Sequence, residues 1–222
     1  MAHGAGEEED GGIARLGWAQ AAAYIVVGIA VAGLFLALPL AGLVLFLALS
    51  AWHFARSDCR MGQAARLAIA ALAIGGSALF QPQTTAQVFT AAMGEPAPVL
   101  LVRLLALAGV AGAGAALYAL FRNQRGCGEA MLALGATALL HPVLAVGLVF
   151  LLGHALPIQR RQLRRYGSAA VTRAVLWPTL LAIAGAALLA AGVLSGWLAL
   201  PVAAALAFGL ATPHMLTDRL ER

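Results

Sequence analysis

Eight almost uninterrupted apolar runs fill the chain from Leu16 to Met215, and nothing between them is long or polar enough to build a soluble domain. As helices they cover about Leu16–Leu38, Leu40–Phe54, Ala65–Phe80, Pro98–Phe121, Glu129–Leu140, Pro142–Leu156, Thr172–Leu194 and Trp197–Met215. Removed from water, each run must satisfy its own backbone hydrogen bonds, and a helix does this within one segment. The runs do not alternate apolar with polar side chains as barrel strands would. Crossing the hydrocarbon takes about 20 residues, fewer where a helix is short or the bilayer thins. The expected fold is all-α: a polytopic integral membrane helical bundle of about seven to eight transmembrane segments. Composition agrees, since 62% of residues are hydrophobic and only 10% are charged, against about 25% charged in soluble domains.

The expected organisation is an acidic, Gly-rich tail over 1–15, a single transmembrane domain over 16–216 and a short cytoplasmic C-terminus over 217–222. The start, "MAHGAGEEEDGG", is acidic where a signal peptide is basic. The first apolar segment is then expected to serve as its own insertion signal. "QPQTTAQ" (81–87) and "GEPAP" (94–98) bound a stretch of mixed polarity that reads as a loop. Trp18, Trp52, Trp177 and Trp197 fall near segment ends, as interface anchors do. Small residues such as Gly109 and Ala113 recur four apart, which suits close helix packing. Cys59 and Cys127 form neither a CxxC pair nor a zinc spacing, so both read as free reduced thiols.

The stretch from Glu129 to Leu156 decides the topology. As one helix it would be about 42 Å long, more than the roughly 30 Å hydrocarbon core. A break at His141-Pro142 makes two shorter helices, with proline in the first turn, where its missing N–H is harmless. The break also gathers the arginine loops on one side: Arg56, Arg60 and Arg66; Arg122 and Arg125; Arg160, Arg161, Arg164, Arg165 and Arg173. Glu95 is then almost the only charge opposite. The positive-inside rule favours this arrangement, with both termini cytoplasmic. The net charge is +5 and every basic residue is arginine. Because those arginines lie in short loops, no nucleic-acid partner is expected.

The histidines carry the candidate chemistry. His53 is expected at the end of the second helix, His154 at the end of the sixth and His214 at the end of the eighth, with His3 on the tail beside them. All four then reach one membrane level. Ionisable residues at such depth are functional suspects, and imidazole clusters suit Fe, Zn, Cu or Ni. Neutral rings leave a divalent ion its Lewis acidity and open positions. The candidate metal ligands are therefore His3, His53, His154 and His214. His141 lies too far from His154 to share an ion and is expected to cap the helix that begins at Pro142, or to hydrogen-bond within the bundle. Asp58 and Asp218 could hold the far ring N–H of His53 and His214.

"SAWHFARSD" (50–58), "HPVLAVGLVFLLGHA" (141–155), "TPHML" (212–216) and "AHGAGEE" (2–8) resemble motifs of the Brp/Blh membrane proteins. Those are bacterial and archaeal enzymes that cleave β-carotene at its central double bond to give retinal. The resemblance implies a membrane-embedded carotenoid oxygenase with non-haem Fe(II). His3, His53 and His154 match its presumed ligands, and His141 and His214 match other motif histidines. It also implies carotenoid and O₂ as substrates, the lipid bilayer as surroundings, a multi-pass location in the inner membrane and retinal supply to a rhodopsin. The chain departs from the pattern at Ile158, where the family has a second histidine, and at Val149, where it has tyrosine. Ala2, Glu7 and Glu8 replace the proline, aspartate and last histidine of the N-terminal motif. With Ile158 in place, a four-histidine site would need His214. The alternatives are a non-catalytic carotenoid- or retinal-binding protein and, from a different class, a haem protein or small transporter. The near absence of polar residues in mid-helix disfavours transport.

Overall fold

The structure, a computed structural model, describes residues 18–56 and 61–217; at 18–21, 154, 158, 174, 178 and 214–217 it describes the backbone only. The tail over 1–15, His3, Asp58, Cys59, Arg60 and Asp218 therefore lie outside the described residues. The described residues form ten α-helices and no strand: α1 (Trp18–Ala37), α2 (Pro39–Arg56), α3 (Gln63–Phe80), α4 (Pro82–Met93), α5 (Val99–Phe121), α6 (Cys127–Leu139), α7 (Pro142–Phe150), α8 (Leu156–Tyr166), α9 (Ser168–Leu194) and α10 (Leu200–Thr217), with a π-helical turn, Leu151–Ala155, joining α7 to α8. Among the described residues, four stretches are long and apolar enough to cross a membrane: Pro39–Arg56, Gln63–Phe80, Val99–Phe121 and Val175–Leu194. Shorter apolar helices run over Ala22–Ala37, Cys127–Leu139, Pro142–Gly153 and Leu200–Pro213. The protein is thus an all-helical membrane protein.

Helix α3 is the spine. Its Ala65, Ala68, Leu72, Gly75 and Gly76 are buried, and the small alanines and glycines among them let neighbouring backbones come close. A Cβ on Gly75 would sit 2.6 Å from the backbone nitrogen of Gly109 and against the Leu105 carbonyl, so α3 and α5 touch backbone to backbone. On its other face, a Cβ on Gly76 would meet Thr137 Oγ1 of α6 at 2.7 Å. The Thr137 hydroxyl is turned into its own helix, donating toward the carbonyls of Ala133 and Leu134 at 3.1 and 3.0 Å. With no hydrophobic effect between helices in lipid, such contacts and the dispersion they bring hold the bundle together.

A second group joins α1, α2 and α10. Gly28 and Gly209 face each other where α1 crosses α10; a Cβ on Gly28 would lie 2.9 Å from the Gly209 carbonyl oxygen. Phe208 lies edge-on to Phe35 at 5.0 Å and stacks on Phe46 at 4.0 Å. Helix α9 stands apart, exposed along most of its length.

The hydrogen bonds at the loops assign the bundle its two ends. The Gly62 N–H donates to the Arg125 carbonyl (2.8 Å), and the Ala64 N–H donates to Gln124 Oε1 (3.2 Å). The loops before α3 and after α5 therefore share one end, hereafter the arginine end. At the other end Gln81 Nε2 donates to the carbonyls of Leu140 (2.7 Å) and Thr137 (3.4 Å). From there α7 runs antiparallel to α3, because Gly153 reaches Ile69, more than three turns back along α3.

The break at His141-Pro142 is present: α6 ends at Leu139, and Pro142 opens α7. Three expectations need correction. The polar stretch after Gln81 is helix α4 and not a loop. Pro82 starts it without losing a needed N–H, and Gly94 (φ 76°) ends it in the left-handed conformation; its Gln and Thr content had masked the helical pattern. The expected end at Leu156 is no end either, since the helix continues through the π turn to Tyr166. "QRRQLRR" is helical because it contains no glycine and, after Pro157 in the first turn, no further proline. Lastly, Arg103 lies just inside α5 at the end opposite the arginine loops, on an exposed face. The charge bias toward one end is strong without being complete.

Gln81 was not singled out by its sequence, yet it caps the carbonyls that the break leaves without helical partners. Gln81→Ala is expected to destabilise the protein by about 1–3 kcal/mol, the cost of leaving these partly buried acceptors unpaired. Gln83→Ala, two residues away and exposed, should leave the thermal midpoint in detergent unchanged. Equal midpoints for the two variants would remove Gln81 from this role.

Candidate metal-site region

His53 sits near the end of α2 and is buried, 5% exposed. Buried Ser50 precedes it on the same face. The His53 ring lies 5.9 Å from that of Phe54 at a steep angle. Phe54 in turn meets Phe150 edge-on at 6.1 Å. Phe54 also packs in one apolar cluster with Ile69, Ala73 and Val149. Val149, at the position where the Brp/Blh pattern has tyrosine, is fully buried there.

Phe150 directly precedes the π turn that carries His154. A π turn holds one more residue than an α turn, so it rotates the side chains that follow it, and such turns are frequent at functional sites. His154 therefore lies inside a continuous helix over 142–166 and not at a helix end as expected. Gly153 lets this turn lie close on α3, because a Cβ there would come 2.8 Å from Ile69 Cγ2. No periodicity in the sequence marks the extra residue.

The backbone of His214 belongs to the last turns of α10, just after Pro213. Helix α10 starts beside α4, where Gly94 meets Pro201, and runs antiparallel to α1. It therefore finishes at the end where α2 also finishes. The segments carrying His53, His154 and His214 thus converge on the arginine end. His141 is at the opposite end. It is exposed, and its side chain makes no cap hydrogen bond to α7, contrary to the capping expectation; only its carbonyl accepts, from the Ala145 N–H at 2.9 Å. Among the described residues no three His, Cys, Asp or Glu side chains form a metal-holding group. Of the four candidate imidazoles, those of His3, His154 and His214 are outside the described side chains. Cys127, at the start of α6, is a free thiol.

An apolar groove of about 490 Å³ opens between α9 and α10, lined by Ala186, Ala190, Val193, Ala203 and Ala207. It lies toward the end away from His53, so it is not the histidine region. Sequence reasoning missed Phe150, Ile69 and Gly153 as the setting of that region. Phenylalanine and glycine in an apolar run look like any other lipid-facing residue until the helices are packed.

A family model described as Beta-carotene 15,15'-dioxygenase matches residues 3–217. No curated protein and no solved structure matches the chain.

Proposed function

Because this chain belongs to the beta-carotene 15,15'-dioxygenase family, we propose that it is a membrane-embedded carotenoid oxygenase that cleaves the central double bond of β-carotene with O₂. The carbon–carbon double bond breaks, each carbon takes one oxygen atom, and two molecules of retinal result. The observation that carries this reading is the buried His53, placed at the same bundle end as the segments of His154 and His214.

The cofactor in this proposal is non-haem Fe(II), with His3, His53, His154 and His214 as its ligands. The donor chemistry fits. His53 is buried beside the Phe54 ring, and neutral imidazoles suit iron while leaving positions open. Iron would supply the binding and activation of O₂. The protein's own part is to hold the polyene with its centre at this end of the bundle and to exclude water, for which Phe54 and Phe150 are well placed. On this reading the arginine end faces the cytoplasm, the protein is a multi-pass component of the inner membrane with seven to eight spans, and its retinal could serve a rhodopsin.

Expression in a β-carotene-producing bacterium tests the proposal. Retinal should accumulate as the orange colour fades. Cells that keep their carotene and make no retinal, while the protein is present and folded, would reject it. Ile158, in place of the family's second histidine, favours one other reading, a carotenoid-binding protein without catalysis. That protein would purify with pigment and without stoichiometric iron.

A further inference from the structure

We propose that α8 is a docking site for anionic phospholipid headgroups in the leaflet at the arginine end. The inference is independent of the carotenoid reading and rests on depth, face and charge.

Depth comes first. Helices α7 and α8 form one continuous helix through the π turn, apolar from Pro142 to Gly153. Arg160 lies about 27 Å along it from Pro142 at 1.5 Å per residue. That is close to the roughly 30 Å hydrocarbon thickness, so the first arginines emerge at the level of the lipid phosphates.

The faces are also sorted. Arg160 and Arg164 stack one turn apart, with Arg161 and Arg165 in the next row. At 100° per residue the four occupy an arc of about 140°. Leu156, Leu163 and Tyr166 fall on the opposite side; Leu163 and Tyr166 are 37% and 46% exposed. A helix with a basic face and an uncovered apolar face belongs at a membrane interface. Arg165 lies 5.3 Å over the Tyr166 ring, joining the two faces at the helix end.

The charge is one-sided. Residues 159–166 are all exposed, and the sequence contains no acidic residue between Glu129 and Asp218. Gly167 (φ 78°) turns the chain straight into α9, which carries a further exposed arginine, Arg173. Guanidinium groups bind phosphate through paired hydrogen bonds. An acidic protein could meet the charge, but it would not account for the depth or for the apolar face.

The test uses the full-length protein in an uncharged detergent, titrated with phosphatidylglycerol or phosphatidylcholine, and retained lipid is read by native mass spectrometry. Wild type should retain phosphatidylglycerol preferentially, with retention falling as salt rises. Arg160→Gln/Arg164→Gln should weaken that retention by roughly 30-fold, from the contribution of each arginine near an anionic surface, and leave phosphatidylcholine unchanged. Arg160→Lys/Arg164→Lys, which keeps charge, should fall between the two and guards against misfolding of the first variant. Arg103→Gln, at the other end, should match wild type. Equal retention of the two lipids, an unaffected double glutamine variant, or an equal loss with Arg103→Gln would each overturn the proposal. So would co-purification of an acidic protein on these arginines without lipid preference.

Discussion

His53→Ala is expected to reduce retinal formation by at least roughly 100-fold, the upper range for losing even an outer partner of a metal site, while the protein still accumulates in the membrane. The ring is buried near the end of α2, so truncation leaves a small void beside Phe54. That costs some stability without removing a helix contact made by backbone. His141→Ala is the matched control. It also removes a motif imidazole, but His141 is exposed, lies at the far end, and makes no side-chain cap bond. Retinal per cell, normalised to membrane-inserted protein, and iron content of the purified variants are the measurements. If the two substitutions act alike, or if His53→Ala retains both iron and activity, the proposed ligand role of His53 is lost.

The largest structural effect is expected from Gly75→Val. A Cβ at this position meets the Leu105 carbonyl and the Gly109 nitrogen, and a third neighbour, the Ala108 Cβ, stands at 3.1 Å. Two of the three are backbone atoms and cannot rotate away, so α3 and α5 must separate. Overpacking a core costs about 1–3 kcal/mol when side chains can adjust; here separation also disturbs the contact of α3 with α6 through Gly76. Loss of the monodisperse species in detergent is the expected outcome. Gly114→Ala on the same α5 is the counterpart: nothing lies within 4 Å of the added carbon, and alanine improves the helix by up to about 1 kcal/mol. Its thermal midpoint should equal or exceed that of wild type. A folded Gly75→Val protein with a normal midpoint would mean that the α3–α5 crossing is looser than its backbone contact implies.

Much of this architecture is legible in the sequence. The apolar runs located most of the helices because helix burial in lipid depends on composition and length, which are local. The break at His141-Pro142 was readable because proline acts on its own neighbours, and the arginine loops added an independent constraint on direction. Helix α4 was hidden because its Gln and Thr residues follow no apolar period. The true length of the α7–α8 helix was hidden because arginines suit either a loop or a solvated helix. For the histidines, the sequence showed which segments carry them, and its charge pattern pointed to a common end.

Other features exist only once helices meet. Gln81 caps α6 from the junction between α3 and α4, and neither its residue type nor its spacing announces a partner nearly sixty residues away. The extra residue of the π turn at His154 has no local signature, since Gly153 is explained only by Ile69 across the gap. The sequence by itself determined an all-helical membrane protein of this family, because hydropathy, proline geometry and motif residues act over a few neighbours. Tertiary structure alone decided which glycines are contact points and that Phe54, beside His53, meets the Phe150 ring, because those depend on distances between segments far apart in the chain.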